Sequence, residues 1–306
     1  MAKIAVIVLN YKQPQLTSDT IRSLLQIDHP KFNFHIFLVN NNSPDNSVNF
    51  FEEKFSHQPQ ITIVNSGRNL GYAGGNNFGI KLALKQGYDY CLIINNDVVV
   101  DKKFLLYLYK TIKSFKTPAI IGPKIYFAPG FEFHKNRYQK KDLGHVIWSA
   151  GGTINWRNVY GSNIGVDQVD KGQFDQTNSN LDFITGCCLL IPKEIFFKIG
   201  LFDERYFMYL EDVDFCHRAK LKGFPIVYEP KSFIWHFNSG SSASGSSLHD
   251  YFITRNRLLF GLKYTKIRTK FALIREAIKM LFIGRHWQKI AVIDYCFKHF
   301  SIGSWK

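Results

Sequence analysis

The sequence predicts an α/β fold: a mostly parallel central sheet covered by helices, with a C-terminal helical extension. Two observations predict it. Short β-rich apolar runs alternate with helical patterns through the first half of the chain, the order expected of parallel strands joined by crossover helices. The residues that follow those runs are unusually polar, as they are where an open α/β sheet binds a ligand beyond the carboxyl ends of its strands. Size is compatible, because 306 residues with 45% hydrophobic and 16% aromatic content can bury a substantial core.

Strands are expected at residues 4–9, 34–39, 61–64, 90–94 and 119–121. Between them Leu16, Ile21, Leu24 and Leu25 recur at helical spacing, as do Val48, Phe51 and Phe55, and then Phe104, Leu105, Leu108, Ile112 and Phe115. Residues 127–180 are polar, aromatic and Gly-rich without a sustained period, so loops and short strands over one sheet edge are expected there. Order returns with the apolar run 186–191, helices from Lys193 and over 211–221, and a strand at 225–228. The segment SGSSASGSS, residues 239–247, is too small and polar to pack and is expected to form a mobile loop, a candidate lid. In the helical last 50 residues Phe271, Ile274, Ile278, Leu281 and Phe282 share one face, and Lys270, Arg275, Lys279 and Arg285 decorate the rest.

The charge is unevenly placed. From Tyr251 onward twelve Lys/Arg stand against Glu276 and Asp294, so this tail carries +10 of the formal +15. Basic excess alone does not choose between nucleic acid, anionic lipid and a phosphorylated ligand. A nucleic-acid-binding motif is absent and the charge lies away from the polar strand ends, so nucleic acid is not an expected partner. Cys91, Cys187, Cys188, Cys216 and Cys296 fall at no metal-ligand spacing, and a reducing, cytoplasmic setting without disulfides is expected. The first apolar run is too short for a signal peptide, and no segment reaches the about 18 apolar residues of a membrane span.

The strand ends carry the chemistry. They deliver Asn10 and Tyr11, then Asn40, Asn41, Ser43 and Asp45, then Asn65, Arg68 and Asn69, then Asn95, Asn96 and Asp97. Asn, Asp and Gly make good turns, which accounts for any one of these loops; four together point to a site. The third loop runs into Gly71, Gly74, Gly75 and Gly79, which open a helix and let backbone approach a ligand. Asp97 ends an apolar strand, where its carboxylate can hold Mg²⁺ or Mn²⁺ against a diphosphate leaving group. His236, after Ile234 and Trp235, is a candidate further ligand; a structural histidine is the equally weighted reading. The densest acidic cluster is Glu211, Asp212 and Asp214 at a helix start. The macrodipole explains one or two of these; the aromatic run Tyr206, Phe207, Met208 and Tyr209 suggests desolvation and hence a general base.

With these motifs the chain resembles the family 2 glycosyltransferases of the GT-A fold, particularly their rhamnosyltransferase-like branch, over residues 3–240. Asn10-Tyr11, the turn of Asn40, Asn41, Ser43 and Asp45, the pattern of Asn69, Gly71, Gly75 and Asn77, the metal motif Asn95-Asn96-Asp97 and residues 186–218 carry the resemblance. It implies a donor site of Asn10, Tyr11, Asn40, Asn41, Ser43, Asp45, Arg68, Asn69, Gly75, Asn77, Asn95, Asn96 and Asp97. It implies Asp212 as catalytic base, Gly186, Tyr209 and Glu211 on the acceptor side, and Asp97 with His236 at the metal. Two residues depart from the family pattern: Asn40 replaces an Asp, leaving a carbonyl to accept from a base N–H, and Asn95 replaces the first Asp of the metal motif. The expected organisation is a catalytic domain over 1–240, with a nucleotide-sugar half (1–125) and an acceptor half (126–240), then a loop and basic tail (241–306). The expected reaction is inverting transfer from a dTDP- or UDP-linked sugar, foremost dTDP-L-rhamnose, to a glycan or lipid-linked acceptor of cell-surface polysaccharide. Arg255 and Arg257 are expected to assist at the diphosphate. The tail is expected either to contact the inner face of the membrane or to pack on the catalytic body.

Overall fold

A computed structural model of the chain describes residues 1–134, 136–238 and 245–305. Most of the Ser-rich segment expected as a mobile lid, residues 239–244, lies outside the described residues. Its end does not continue a loop: Ser246 caps a helix, its hydroxyl accepting from the His249 N–H at 3.2 Å.

Strand β1 (Ala2–Asn10) is apolar at nearly every position, which requires cover on both faces of the sheet. Ile4, Val6 and Val8 enter one core, and Ala5 and Ile7 the other. Parallel to it lie β2 (Phe32–Asn40) and β4 (Tyr90–Ile94), and β3 (Ile61–Asn65) extends the sheet beyond β2. On the other side of β4 the order continues with β10 (Cys188–Pro192), β6 (Ile120–Phe127), β11 (Ile226–His236) and β5 (Val98–Val100), while β7 (Ile147–Ser149) pairs with β6. The expected mostly parallel sheet is present, with β10, β5 and β7 running against it.

One face is covered by α1 (Pro14–Leu24), α2 (Ser47–Phe55) and α4 (Phe104–Ser114), which bury Ile21, Leu24, Phe51, Phe55, Leu105 and Leu108. Proline begins α1 because its missing N–H would be unpaired there in any case. The other face is covered by α3 (Gly71–Lys85), α5 (Lys193–Ile199), α6 (Glu211–Leu221) and α7 (Ser247–Tyr264). At Gly75 an added Cβ would meet a Leu9 methyl at 2.5 Å, and at Gly79 an Ile7 methyl at 2.7 Å. These two glycines bring α3 close onto β1, so the approach they permit is helix to sheet. The chain closes with α8 (Ile267–Ile283) and α9 (His286–Cys296). Among the described residues no helix is long and apolar enough to cross a membrane.

Two departures from the sequence reading shape the site. The strand expected to stop at residue 228 runs on to His236, with a register shift between Glu229 and Phe233. Pro230 cannot donate to the ladder, so the strand bulges there and then resumes. Val98–Val100, not expected as a strand, pairs with that continuation. The segment over one sheet edge is built as expected, with β7 and a hairpin of β8 (Gly152–Asn155) and β9 (Tyr160–Asn163). Buried Lys124 of β6 fastens this segment through Asp170 and Asp175, at 2.6 Å each.

Candidate active site

Parallel register aligns Asn10, Asn40 and Asn65 in one row at the carboxyl ends of β1, β2 and β3. Their side chains are joined, not isolated. The Asn96 amide donates to the Thr17 hydroxyl at 2.8 Å, Thr17 donates to Asn10 Oδ1 at 2.9 Å, and the Asn10 amide donates to Asn40 Oδ1 at 3.0 Å and to the Ser43 hydroxyl at 3.1 Å. The Asn40 carbonyl thus accepts from Asn10 with a second lone pair left over, and its buried Nδ2 has no partner among the described residues.

Asn41 and Asn69 build the third loop. The Asn41 amide donates to Asn69 Oδ1 at 3.0 Å and to the Gly71 carbonyl at 3.1 Å, and its own Oδ1 accepts the Leu70 N–H. Asn69 Oδ1 also accepts the Gly71 N–H at 2.9 Å. Asp45 accepts from the backbone and hydroxyl of Ser47 at the start of α2. Asn77 clamps the 202–204 turn, exchanging bonds with the Phe202 backbone and donating to Glu204. Tyr11 and Arg68 are exposed beside these loops. Several of the donor-site candidates therefore also order the strand-end loops, beside which Tyr11 and Arg68 are exposed.

Asp97 and His236 meet because β5 pairs with β11: Val98 lies opposite His236, which sets Asp97 beside the imidazole. The Nε2 of His236 is 3.1 Å from Asp97 Oδ1, both side chains are buried, and Trp148 meets the imidazole edge-on. His236 Nδ1 is buried without a hydrogen-bond partner among the described residues. A carboxylate oxygen with an imidazole nitrogen is a fitting donor pair for a divalent cation. No group of three or more His, Cys, Asp and Glu forms among the described residues, so such a cation would take its other ligands from substrate and water. Of the two residues before Asp97, Asn96 donates its amide to Thr17, and the Asn95 backbone N–H donates to the Cys187 carbonyl at 2.9 Å.

Gly186 and Cys187, adjacent in the chain, connect this pair to the acidic cluster. The Gly186 N–H donates to Asp212 Oδ2 at 2.7 Å, and the Tyr72 hydroxyl donates to the Gly186 carbonyl. A side chain at 186 would collide with that hydroxyl. Asp212 also accepts from the Val213 N–H at 2.8 Å. Burial raises its pKa, against the lowering by these N–H groups. Glu211 is pushed up much further, by burial first and then by the charge of Asp212, and its Oε2 has no partner among the described residues. Burial thus disfavours the ionised form of both neighbours, and of Glu211 more strongly than of Asp212.

The aromatic run was expected to dry a carboxylate of this cluster, and Tyr206 does lie on buried Asp214, while Phe207 stacks on Phe252; Tyr72, outside the run, is a phenol that feels the charges of Glu211 and Asp212. Asp214 is wholly buried and serves the fold, gathering Arg218, Lys263 and Tyr264. Sequence reasoning also missed the support behind the acidic cluster. Phe207, Tyr209 and Leu210 all have left-handed φ, between 64° and 69°. Such strain persists only when surrounding structure over-determines it. Asn256 of α7 supplies that structure, its amide facing the carbonyls of Tyr206, Met208 and Tyr209 at 2.8, 2.7 and 2.9 Å. Arg255 adds bonds to the carbonyls of Arg205 and Tyr206 at 3.1 Å each. This corrects the role expected of the arginines: Arg255 is fully buried, and Arg257 pairs with Glu276 and the Asn158 carbonyl. A polar trio inside the apolar stretch FITRNRLLF was the available signal.

The fold is that of the GT-A class. The chain aligns with the crystal structure of GalNAc-T7 with UDP, GalNAc and Mn²⁺ at a TM-score of 0.62 and 14% identity, covering 97% of this chain and 57% of that one. It aligns with S. aureus TarS 1-349 at 0.56 and 14% identity, covering 96% and 78%. The family model for glycosyltransferase like family 2 matches residues 2–261, and the chain belongs to that family. It is 25% identical over 218 residues to the low-salt glycan biosynthesis hexosyltransferase Agl10 of Haloferax volcanii, covering 71% of this chain and 61% of that protein's length. It is 24% identical over 222 residues to the N-acetylglucosaminyl-diphospho-decaprenol L-rhamnosyltransferase of Mycobacterium tuberculosis, covering 70% of each. A third relative, the poly-beta-1,6-N-acetyl-D-glucosamine synthase of Staphylococcus aureus, is 25% identical over 232 residues, covering 76% of this chain and 49% of that protein.

Proposed function

We propose that the chain is an inverting hexosyltransferase of glycan biosynthesis that moves a sugar from a nucleoside diphosphate donor to an acceptor hydroxyl. One observation carries this reading: the adjacent residues Gly186 and Cys187 bond, respectively, to Asp212 and to the strand end that holds Asp97, so a base and an anion-side donor pair flank one short segment. Asp212 accepts the proton of the acceptor hydroxyl as its oxygen attacks the anomeric carbon from the face opposite the diphosphate, and the configuration inverts. Burial raises the pKa of Glu211 more than that of Asp212, which leaves Asp212 the readier of the two to act as the ionised base. Asn40 Nδ2, Tyr11 and Arg68 bind the nucleotide. Asp97 and His236 would hold Mg²⁺ or Mn²⁺, which when bound neutralises charge on the leaving diphosphate.

The preferred donor is dTDP-L-rhamnose with a lipid-linked acceptor, supported by the likeness to the mycobacterial rhamnosyltransferase; a UDP-hexose is the second reading, supported by the likeness to the haloarchaeal hexosyltransferase. A panel of nucleotide sugars with Mg²⁺ or Mn²⁺, followed by release of nucleoside diphosphate with and without EDTA, separates the two. Metal-dependent release from one donor names the sugar. Absence of both release and binding for every donor would leave a non-catalytic sugar-binding protein.

A further inference from the structure

The basic tail divides its work between helices. α7 is buried almost throughout and packs on the body. α8 docks through a narrow inner face of Leu273, Ala277 and Met280. Around from that face Ile267, Phe271, Ile274, Ile278, Leu281 and Phe282 form a second apolar stripe at helical spacing, and all are exposed, Phe271 to 66% and Phe282 to 74%. Arg268, Arg275 and Lys279, also exposed, border the stripe. The one acidic residue of α8, Glu276, is bonded to Arg257 and offers no counter-charge to these cations.

We infer that this face of α8 docks on an anionic phospholipid bilayer, lying in the plane of the headgroups. An apolar stripe edged by cations matches the order of such an interface, acyl chains beneath and phosphates at the rim. Charge argues against a second copy of the chain, because a two-fold contact would bring the same three cations together. The helix is not long and apolar enough to span. The inference is independent of the transferase reading, since binding to lipid requires neither donor nor metal.

The test is co-sedimentation of the full chain with vesicles of phosphatidylcholine alone or mixed with phosphatidylglycerol, at low and high salt. Binding to the mixed vesicles, weakened by salt and by removal of phosphatidylglycerol, is expected. Each basic residue near an anionic surface contributes about fivefold, so Arg268→Gln/Arg275→Gln/Lys279→Gln should lower partitioning at least about tenfold. Phe271→Ser/Phe282→Ser should do the same while leaving secondary structure and solution donor hydrolysis unchanged. Equal binding to both vesicle types, or to neither, would overturn the inference. So would a stable dimer in sedimentation that the Phe271→Ser/Phe282→Ser variant dissociates, which assigns the stripe to self-association.

Discussion

The Nε2 of His236 lies 3.1 Å from Oδ1 of Asp97 although 139 residues separate them in sequence. The pairing of two strand ends makes this contact, so the two groups proposed to hold a cation are kept in a fixed geometry. His236→Ala is expected to lower metal-dependent donor turnover by about 10- to 100-fold. Asp97→Ala is expected to lower it by about 10³-fold, because it removes the charged ligand. Both should raise the Mn²⁺ concentration at half-maximal rate, and EDTA should abolish wild-type turnover. An EDTA-insensitive rate would remove the metal from the scheme.

The pH profile follows from burial of the acidic pair. Asp212 titrates above the ordinary aspartate value of 3.8, so kcat should fall in acid with a midpoint above that value. A midpoint at or below it would show that the base is solvated.

Glu211 ties stability to pH. Its folded-state pKa lies well above the ordinary 4.5, so the fold binds this proton more tightly than the unfolded chain does. The contribution is therefore fully present in acid below 4.5 and is lost as pH rises toward the raised value. Glu211→Gln removes the titration. The Tm of the wild type, compared with Glu211→Gln, should decline as pH rises above 4.5; parallel curves would show that the carboxyl is hydrated.

Asn256 acts through the loop it holds. Asn256→Ala removes the amide donor from the carbonyls of Met208 and Tyr209 and leaves that of Tyr206 to Arg255, behind a strained backbone. A stability loss of about 1–3 kcal/mol is expected. The positioning role shows in a split: kcat falls about tenfold with donor KM unchanged, as for a base displaced by a fraction of an ångström. A loss of stability with kcat intact would assign Asn256 to folding alone.

The period of the apolar residues made the sheet and its first helices legible, because β1, β2 and β4 are buried on both faces and read as unbroken runs. The strand-end polar residues were legible as a group, but their individual tasks were not. Asn41, Asn69 and Asn77 look like ligand contacts in the sequence, and their bonds to loop backbone were not legible there, since an amide that binds a nucleotide and one that binds a carbonyl have the same spelling. Pro230 hid the second half of β11, and with it the reason His236 reaches Asp97. Asn256 stood out only as part of a polar trio in an apolar stretch, and its task was not legible because its partners are carbonyls some 50 residues away. The two helical fates of the tail could not be told apart either, since α7 and α8 carry similar residues and only packing separates them.

The most direct test replaces the base alone. Asp212→Asn keeps the shape and one acceptor oxygen, enough for the Gly186 N–H at the loss of the Val213 bond, so donor affinity and metal dependence of binding should match the wild type. Transfer to acceptor should fall about 10²- to 10⁴-fold, the range for loss of a positioned base. Wild-type transfer by Asp212→Asn would contradict the assignment of Asp212 as the base and the single displacement built on it.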